Sequence, residues 1–281
     1  MTHTLESFGG EVGMPQSVPY ARPVIYRKKL LRVAEVWFDE TDEFVPADVI
    51  LHIGASQPIK DASCESFHTV LIMLQHGSES ELLGRVDKGT RYEITRAAAK
   101  DDLIYANFVP KTLEQLSELV HAYETFVTHR NGAVRLNARR FAAMIEVGRL
   151  DVSLMRDRLG RTLTWHAHLM GQHTARLFLS VSAYAGTSDQ NLKNLCGRAN
   201  RLHHWMDMLR FRARKLTRYD FGGYYVGSTD NKKMQINRFK MGFGGEVVCT
   251  YNYWLPGTCL GGYALMARRI VHRIKTNHVE P

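Results

Sequence analysis

The sequence predicts an α/β (α+β) protein: a mixed central sheet with helices on both faces, preceded by a strand-rich N-terminal part. Three observations carry this. The first third holds short, apolar, β-branched runs, the middle holds successive strand-like segments, and strands alternate with helical patterns through the second half. A chain of 281 residues with 44% hydrophobic content can build one large core or two modest ones.

Residues 1 to 24 are rich in Gly, Pro and Ser without a helical or strand period, and are expected to form a loosely packed arm. The runs LLRVAEVWF, VPADVILHIG and HTVLIMLQ read as strands covered on both faces. GSESELLGRVDKGTRYEITRAAAK then gives two short helices, since Gly84 and Gly89 interrupt the pattern. In TLEQLSELVHAYETFVTHR, Thr112 stands three places before Gln115 as in a capping box, and Leu116, Leu119, Val120, Tyr123 and Val127 share a face. A helix at NARRFAAMIEVGRL precedes three strands, DVSLMRD, RTLTWHAHLMG and ARLFLSVSAY. NLKNLCGRANRLHHWMDMLRFRARKL is helical, with Leu195, Ala199, Leu202, Met206 and Leu209 on the inner face. A strand at TRYDFGGYYVG, a helix at NKKMQINRFKMGFGG stopped by Gly244 and Gly245, a strand at EVVCTYNYWL and a basic amphipathic helix at YALMARRIVHRIK complete the chain. The division expected is an arm over 1–24, a strand-rich part over 25–110 and a larger α/β domain over 111–281.

The formal charge of +9 and pI near 9.4 are unevenly distributed. Arg198 to Lys240 holds eleven Lys or Arg against three Asp, so an anionic partner is expected to meet the C-terminal half. Four scattered cysteines without a CxxC pair point to free thiols. With no apolar stretch long enough to span a bilayer and no secretory N-terminus, the expectation is a cytoplasmic protein. Histidines 166, 168, 173, 203 and 204 show no HxxxH or HxxE pair on one helix, so no metal is expected.

Three stretches in order, TVLIMLQHGSESELLGRVDKGTRYEITRAAAKDDL, RTLTWHAHLM with GRANRLHHWMDM, and YDFGG followed by INRFKMGFGGE, resemble the FemAB group of the GNAT acyltransferase superfamily. The likeness runs over roughly residues 65 to 255, and the pair YDFGG and FKMGFGG is its most specific part. The resemblance implies a GNAT-like fold and transfer of an activated acyl or aminoacyl group onto an amine of an amino sugar, amino acid or peptide. It implies no tightly bound cofactor, the acyl donor being a co-substrate: aminoacyl-tRNA, acyl-CoA or an acyl-carrier-protein thioester. The chain departs from the cell-wall members of that family in holding one complete GNAT-like unit instead of two and in lacking their helical hairpin. No Arg/Gln-x-x-Gly-x-Gly/Ala pyrophosphate loop is present, which argues against simple acetyl-CoA use.

The matching Phe-Lys pair implies that Lys240 stabilises the developing oxyanion, with Phe239 beside the acyl end; its alternative is a solvated cation. Asp220, before Gly222 and Gly223, is a candidate to orient the amine or take its proton, or else a turn aspartate. Tyr219, Gly222, Gly223 and Arg238 belong to the same two signature segments and are candidate substrate contacts. Trp165 and His166 must point to opposite sheet faces, so at most one lines any given pocket. Arg91 resembles the family's basic segment on the acceptor side, with a solvated helix face as the alternative. The basic C-terminal helix is suited to peripheral membrane contact, subunit pairing or plain solvation. A competing reading is a nucleic-acid-binding module, from the basic 198–240 stretch interleaved with Trp205, Phe211, Tyr219, Tyr224 and Tyr225.

Overall fold

The computed structural model describes residues 22–277 apart from 41–44, 61, 76, 130–135 and 184–186, with side chains through Ile270. Its strands are β1 (Val24–Lys28), β2 (Leu31–Trp37), β3 (Val49–Ala55), β4 (Ser63–Met73), β5 (Ile104–Phe108), β6 (Leu150–Arg156), β7 (Thr162–Met170), β8 (Thr174–Ser182), β9 (Arg218–Gly223) and β10 (Glu246–Pro256). The helices are α1 (Glu79–Arg85), α2 (Lys88–Lys100), α3 (Ser117–Thr128), α4 (Ala138–Glu146), α5 (Gln190–Ala213), α6 (Asn231–Met241) and α7 (Cys259–Asn277). One continuous sheet runs in the order β1-β2-β3-β10-β4-β9-β8-β7-β6-β5. It is antiparallel except at β2/β3 and β8/β9. The sheet crosses position 110 without a break: β5 before it pairs with β6 after it, and β10 lies between β3 and β4.

Helix starts follow the local chemistry. Ser78 and Glu81 form a reciprocal capping box on α1, and Asp87, Asn137, Asp189 and Asp230 cap α2, α4, α5 and α6. Some expected details differ. The break between α1 and α2 falls at Val86–Asp87, with Gly84 inside one helix and Gly89 inside the next, because the Asp87 carboxylate collects the amides of Gly89 and Thr90 and restarts the chain. Thr112 forms no capping box: Gln115 accepts instead from the Lys111 amide, and a 3₁₀ turn at Glu114–Leu116 leads into α3. Strands β1 and β5 were not anticipated, and both lie at the sheet's edges. The arm expected over 1–24 lies outside the described residues up to 21, while Val24 is the fully buried first residue of β1.

The two-residue period of the strands sorts side chains to two faces. On one face Leu150, Val152 and Leu154 of β6 and Trp165, Ala167 and Leu169 of β7 pack with α3 and α4. On the other, Val70 and Ile72 of β4 and Phe221 of β9 pack beneath α1, α2 and α5. That second face also carries Asp151 and Ser153 of β6 and Thr164, His166 and His168 of β7, all buried. α5 lies over them and turns His203, His204 and Asp207 inward, so its buried face differs from the one expected: Met206 and Leu209 are only partly buried. Tertiary pairing between polar side chains fixes this rotation, where an apolar pattern would set another.

α7 packs on β10 and β3 and leaves Leu260, Tyr263, Met266 and Ile270 exposed. No helix among the described residues is long and apolar enough to cross a membrane.

Candidate functional site

The site arises where two parallel strands part. β8 and β9 are paired only at Thr174↔Arg218, Ala175↔Tyr219 and Arg176↔Asp220. Beyond that, β8 follows β7 to Ser182 while β9 follows β4 to Gly223. The gap is a cavity of about 920 Å³ lined by Leu177 and Ser180 of β8, Phe221 of β9, Asn200, Arg201 and His204 of α5, and Phe239 and Lys240 of α6. Its described lining also includes His129 and Lys232 and contains no Asp or Glu, so it suits an anionic or electron-rich ligand.

Lys240 reaches this cavity from the last turn of α6. Its ammonium donates to the carbonyls of Gly222 and Gly223, two of the three donors an ammonium possesses. Burial pulls its pKa from 10.5 down to about 8, with Asp220 opposing that shift and Arg176 adding to it. Phe239, one residue before, is tilted against His204 at 5.6 Å and carries the Arg201 guanidinium over its ring at 5.2 Å.

The carbonyls that hold Lys240 depend on the bend of β9. Gly222 has φ +69°, and a Cβ there would meet the Leu177 carbonyl oxygen at 3.3 Å. Gly222→Ala is therefore expected to cost about 1–2 kcal/mol, the left-handed penalty of an L-residue, read as a lowered thermal midpoint, and to displace the Lys240 anchor. Asp220 braces the same bend from beneath: one oxygen accepts from the Gly222 amide at 2.7 Å and from the Thr69 hydroxyl, the other from Arg176 Nε at 2.7 Å. Arg176 is itself held among Trp37, Phe38 and Phe67.

Behind the cavity wall lies a polar network. Asp207 Oδ1 accepts from Tyr105 at 2.8 Å and Ser153 at 2.7 Å, and Oδ2 is bonded to His166 Nδ1 at 2.7 Å. His166 Nε2 is 2.9 Å from Asn200 Oδ1, and its ring stacks between His203 at 3.7 Å and His204 at 4.1 Å. Tyr219 joins His204 Nδ1 at 2.9 Å to His168 Nε2 at 3.1 Å. Burial drives His203 and His204 well below the ordinary histidine range and His168 to about 4. It also works to raise the Asp207 carboxyl, but the facing His203 and His168 rings and the hydrogen bond from His166 outweigh it and hold it well below the usual carboxylate range. His166, His168 and Asp207 bring one ligand-type atom each within 4.8 Å of the others. Those atoms are bonded among themselves and to Tyr219, as a hydrogen-bonded network in place of an open coordination site.

Of the residues the sequence nominated, Lys240 and Phe239 line the cavity, and Gly222 and Gly223 position Lys240. Asp220 is buried with both oxygens engaged and does not line it, and Tyr219 and His166 stand behind the wall. Trp165 belongs to the core on the opposite face, Arg238 is exposed on α6, and Arg91 lies on α2 away from the lining. Asn200, His204 and Asp207 were not nominated. The available signal was HHWMD, a run that places three polar groups on a helix face otherwise made of Cys196, Ala199, Leu202, Trp205, Met208 and Phe211.

No family model and no curated protein sequence matches the chain. Among solved structures it is similar to FemX at 12% identity and TM-score 0.52 over 67% of the chain, spanning 61% of the length of FemX. It is also similar to a C-terminal domain assigned to a lysylphosphatidylglycerol synthetase from Agrobacterium fabrum, at 13% identity and TM-score 0.52, covering 90% of this chain and 89% of that one. At 12% and 13% identity these likenesses show the fold alone, a GNAT-like α/β fold.

Proposed function

From a GNAT-like fold whose parted strands open onto a cationic cavity, we propose that the chain is an acyl- or aminoacyl-transferase that moves an activated acyl group onto an amine. The observation that carries this is Lys240, a partly desolvated ammonium fixed by two backbone carbonyls at the cavity wall. The fold likeness to FemX and to the synthetase domain supports the same reading.

The acyl carbonyl lies against Lys240, whose remaining N–H meets the negative charge that builds on oxygen as the amine attacks. The amine forms the new C–N bond and the ester or thioester bond breaks. Among the described residues, the edge of β8 that faces β9 has no strand beside it beyond Arg176, so an extended donor arm can align along its backbone while Phe221 and Phe239 cover the acyl chain. The donor is an aminoacyl ester of tRNA or a thioester of coenzyme A or a carrier protein, each of which brings phosphate toward Arg201 and Lys232.

A panel of these donors with amino sugars, amino acids and peptides as acceptors, read by mass spectrometry, tests the proposal. Wild-type protein is expected to form an amide with at least one pair, and Ser180→Trp, which fills the cavity from β8, to abolish it. Transfer undiminished in Ser180→Trp would place the reaction elsewhere, and no transfer from any donor would overturn the assignment.

A further inference from the structure

Resting on the acyl-transfer reading, we propose that His204 accepts the proton of the attacking amine and that the Tyr219 hydroxyl passes it to His168, beside the Asp207 carboxylate. Of the four histidines in the buried network, His204 alone lines the cavity. Its Nδ1 is bonded inward to Tyr219 at 2.9 Å, and its Nε2 has no bond within the network. The Tyr219 oxygen continues to His168 Nε2 at 3.1 Å, and that nitrogen is 3.6 Å from Asp207 Oδ2. A hydrogen-bonded path of exchangeable protons therefore runs from the cavity to His168, which stands beside a buried carboxylate.

The hydroxyl has one proton and two imidazole neighbours, so it donates to only one at a time. When it donates to His168, His204 carries its own proton on Nδ1 and presents the Nε2 lone pair. His168 Nδ1 is buried without a partner, so no second hydrogen bond fixes the tautomer of that ring. The wire thus has two states of closely similar bonding.

In the reaction, the amine nitrogen forms its bond to the acyl carbon and gives a proton to His204 Nε2. The Nδ1 proton of His204 moves to the Tyr219 oxygen as the hydroxyl proton moves to His168 Nε2. The wire then runs backwards, returning the proton to the leaving oxygen or sulfur, which departs with the electron pair of the broken bond. No net proton is gained or lost by the protein.

The charge has reason to travel. His204 is stacked on His166 and surrounded by Phe221, Phe239 and Phe243, and no Asp or Glu is among the described residues that line the cavity beside it. His168 has Asp207 facing it from α5, with Arg210 paired to Asp151 behind. The titratable and charged groups that act on the wire include His166 of β7, Asp151 of β6, His203, Asp207 and Arg210 of α5, Tyr105 of β5 and Asp220 of β9. His204 is the catalytic residue in this scheme, and Tyr219, His168 and Asp207 position and relay through it.

Tyr219→Phe tests the wire, since it keeps the buried ring and removes only the oxygen. Expected is a fall in kcat of about a hundredfold, in the range of positioned acid–base groups, with KM unchanged. The proton inventory in mixed H₂O and D₂O is expected to change from a curve to a straight line. Wild-type kcat and inventory in Tyr219→Phe would overturn the proposal. Independently of activity and of how that variant folds, ¹⁵N-histidine NMR of the substrate-free wild-type protein is expected to show a populated His204 tautomer protonated on Nδ1, and protonation exclusively on Nε2 would overturn the wire. Absence of transfer from every donor, with His204 in the expected tautomer, would remove the acyl-transfer reading and with it the catalytic use of the path.

Discussion

Lys240→Ala is expected to lower kcat by about two to three orders of magnitude, the usual effect of losing one donor to a developing oxyanion, while the protein stays folded. The charged form is the useful one, and burial brings its pKa to about 8. Wild-type activity is therefore expected to be full below that value and to fall as pH rises through it. Lys240→Arg, whose charge persists, is expected to keep part of the activity and lose that alkaline limb. Stability runs the other way. The unfolded chain binds the Lys240 proton up to about pH 10.5 and the folded chain only to about 8, so this residue's contribution to stability rises between them. Rate against pH for both proteins, with thermal melts over the same interval, checks both signs. An alkaline limb that persists unchanged in Lys240→Arg would assign it to another group.

Asp220→Ala is expected to destabilise the fold by about 3–5 kcal/mol, as when one partner is removed from a buried ion pair. It leaves the Arg176 guanidinium among Trp37, Phe38 and Phe67 without its carboxylate and frees the Gly222 amide. Asp220→Asn keeps an acceptor for that amide and is expected to lose less. Urea unfolding measures both, and activity per folded molecule separates bracing from chemistry: a stable Asp220→Asn protein devoid of transfer would make Asp220 a proton acceptor after all.

Much of the fold was legible because its pieces are local. The alternation in LDVSLMR and TLTWHAHLM fixes which residues face which side, and the placement of Trp165 opposite His166 follows from it. Lys240 and Phe239 were found through the FKMGFGG segment, where a glycine of φ +78°, Gly244, packs so closely on the Arg85 carbonyl that a Cβ would collide with it. The inner wall of the site was not legible. His166 was nominated only as a pocket-lining candidate, and its place with His168 in a buried network emerges only when α5, in a separate stretch of the chain, lays His203, His204 and Asp207 over them. Arg176 likewise reads as one more surface cation until β9 brings Asp220 against it. Such pairings depend on strand order, and no local spacing encodes strand order.

That order also governs when the molecule can come into being. The eleven residues of β10 occupy the slot between β3 and β4, joined to both by antiparallel ladders. As the chain leaves the ribosome, β3 and β4 appear some two hundred residues before the strand that must separate them, and they must be kept from closing on each other. Contacts of such long range slow the search for the native state. Completion of the sheet thus waits for β10, a stage at which a chaperone that shields strand edges has the most to contribute.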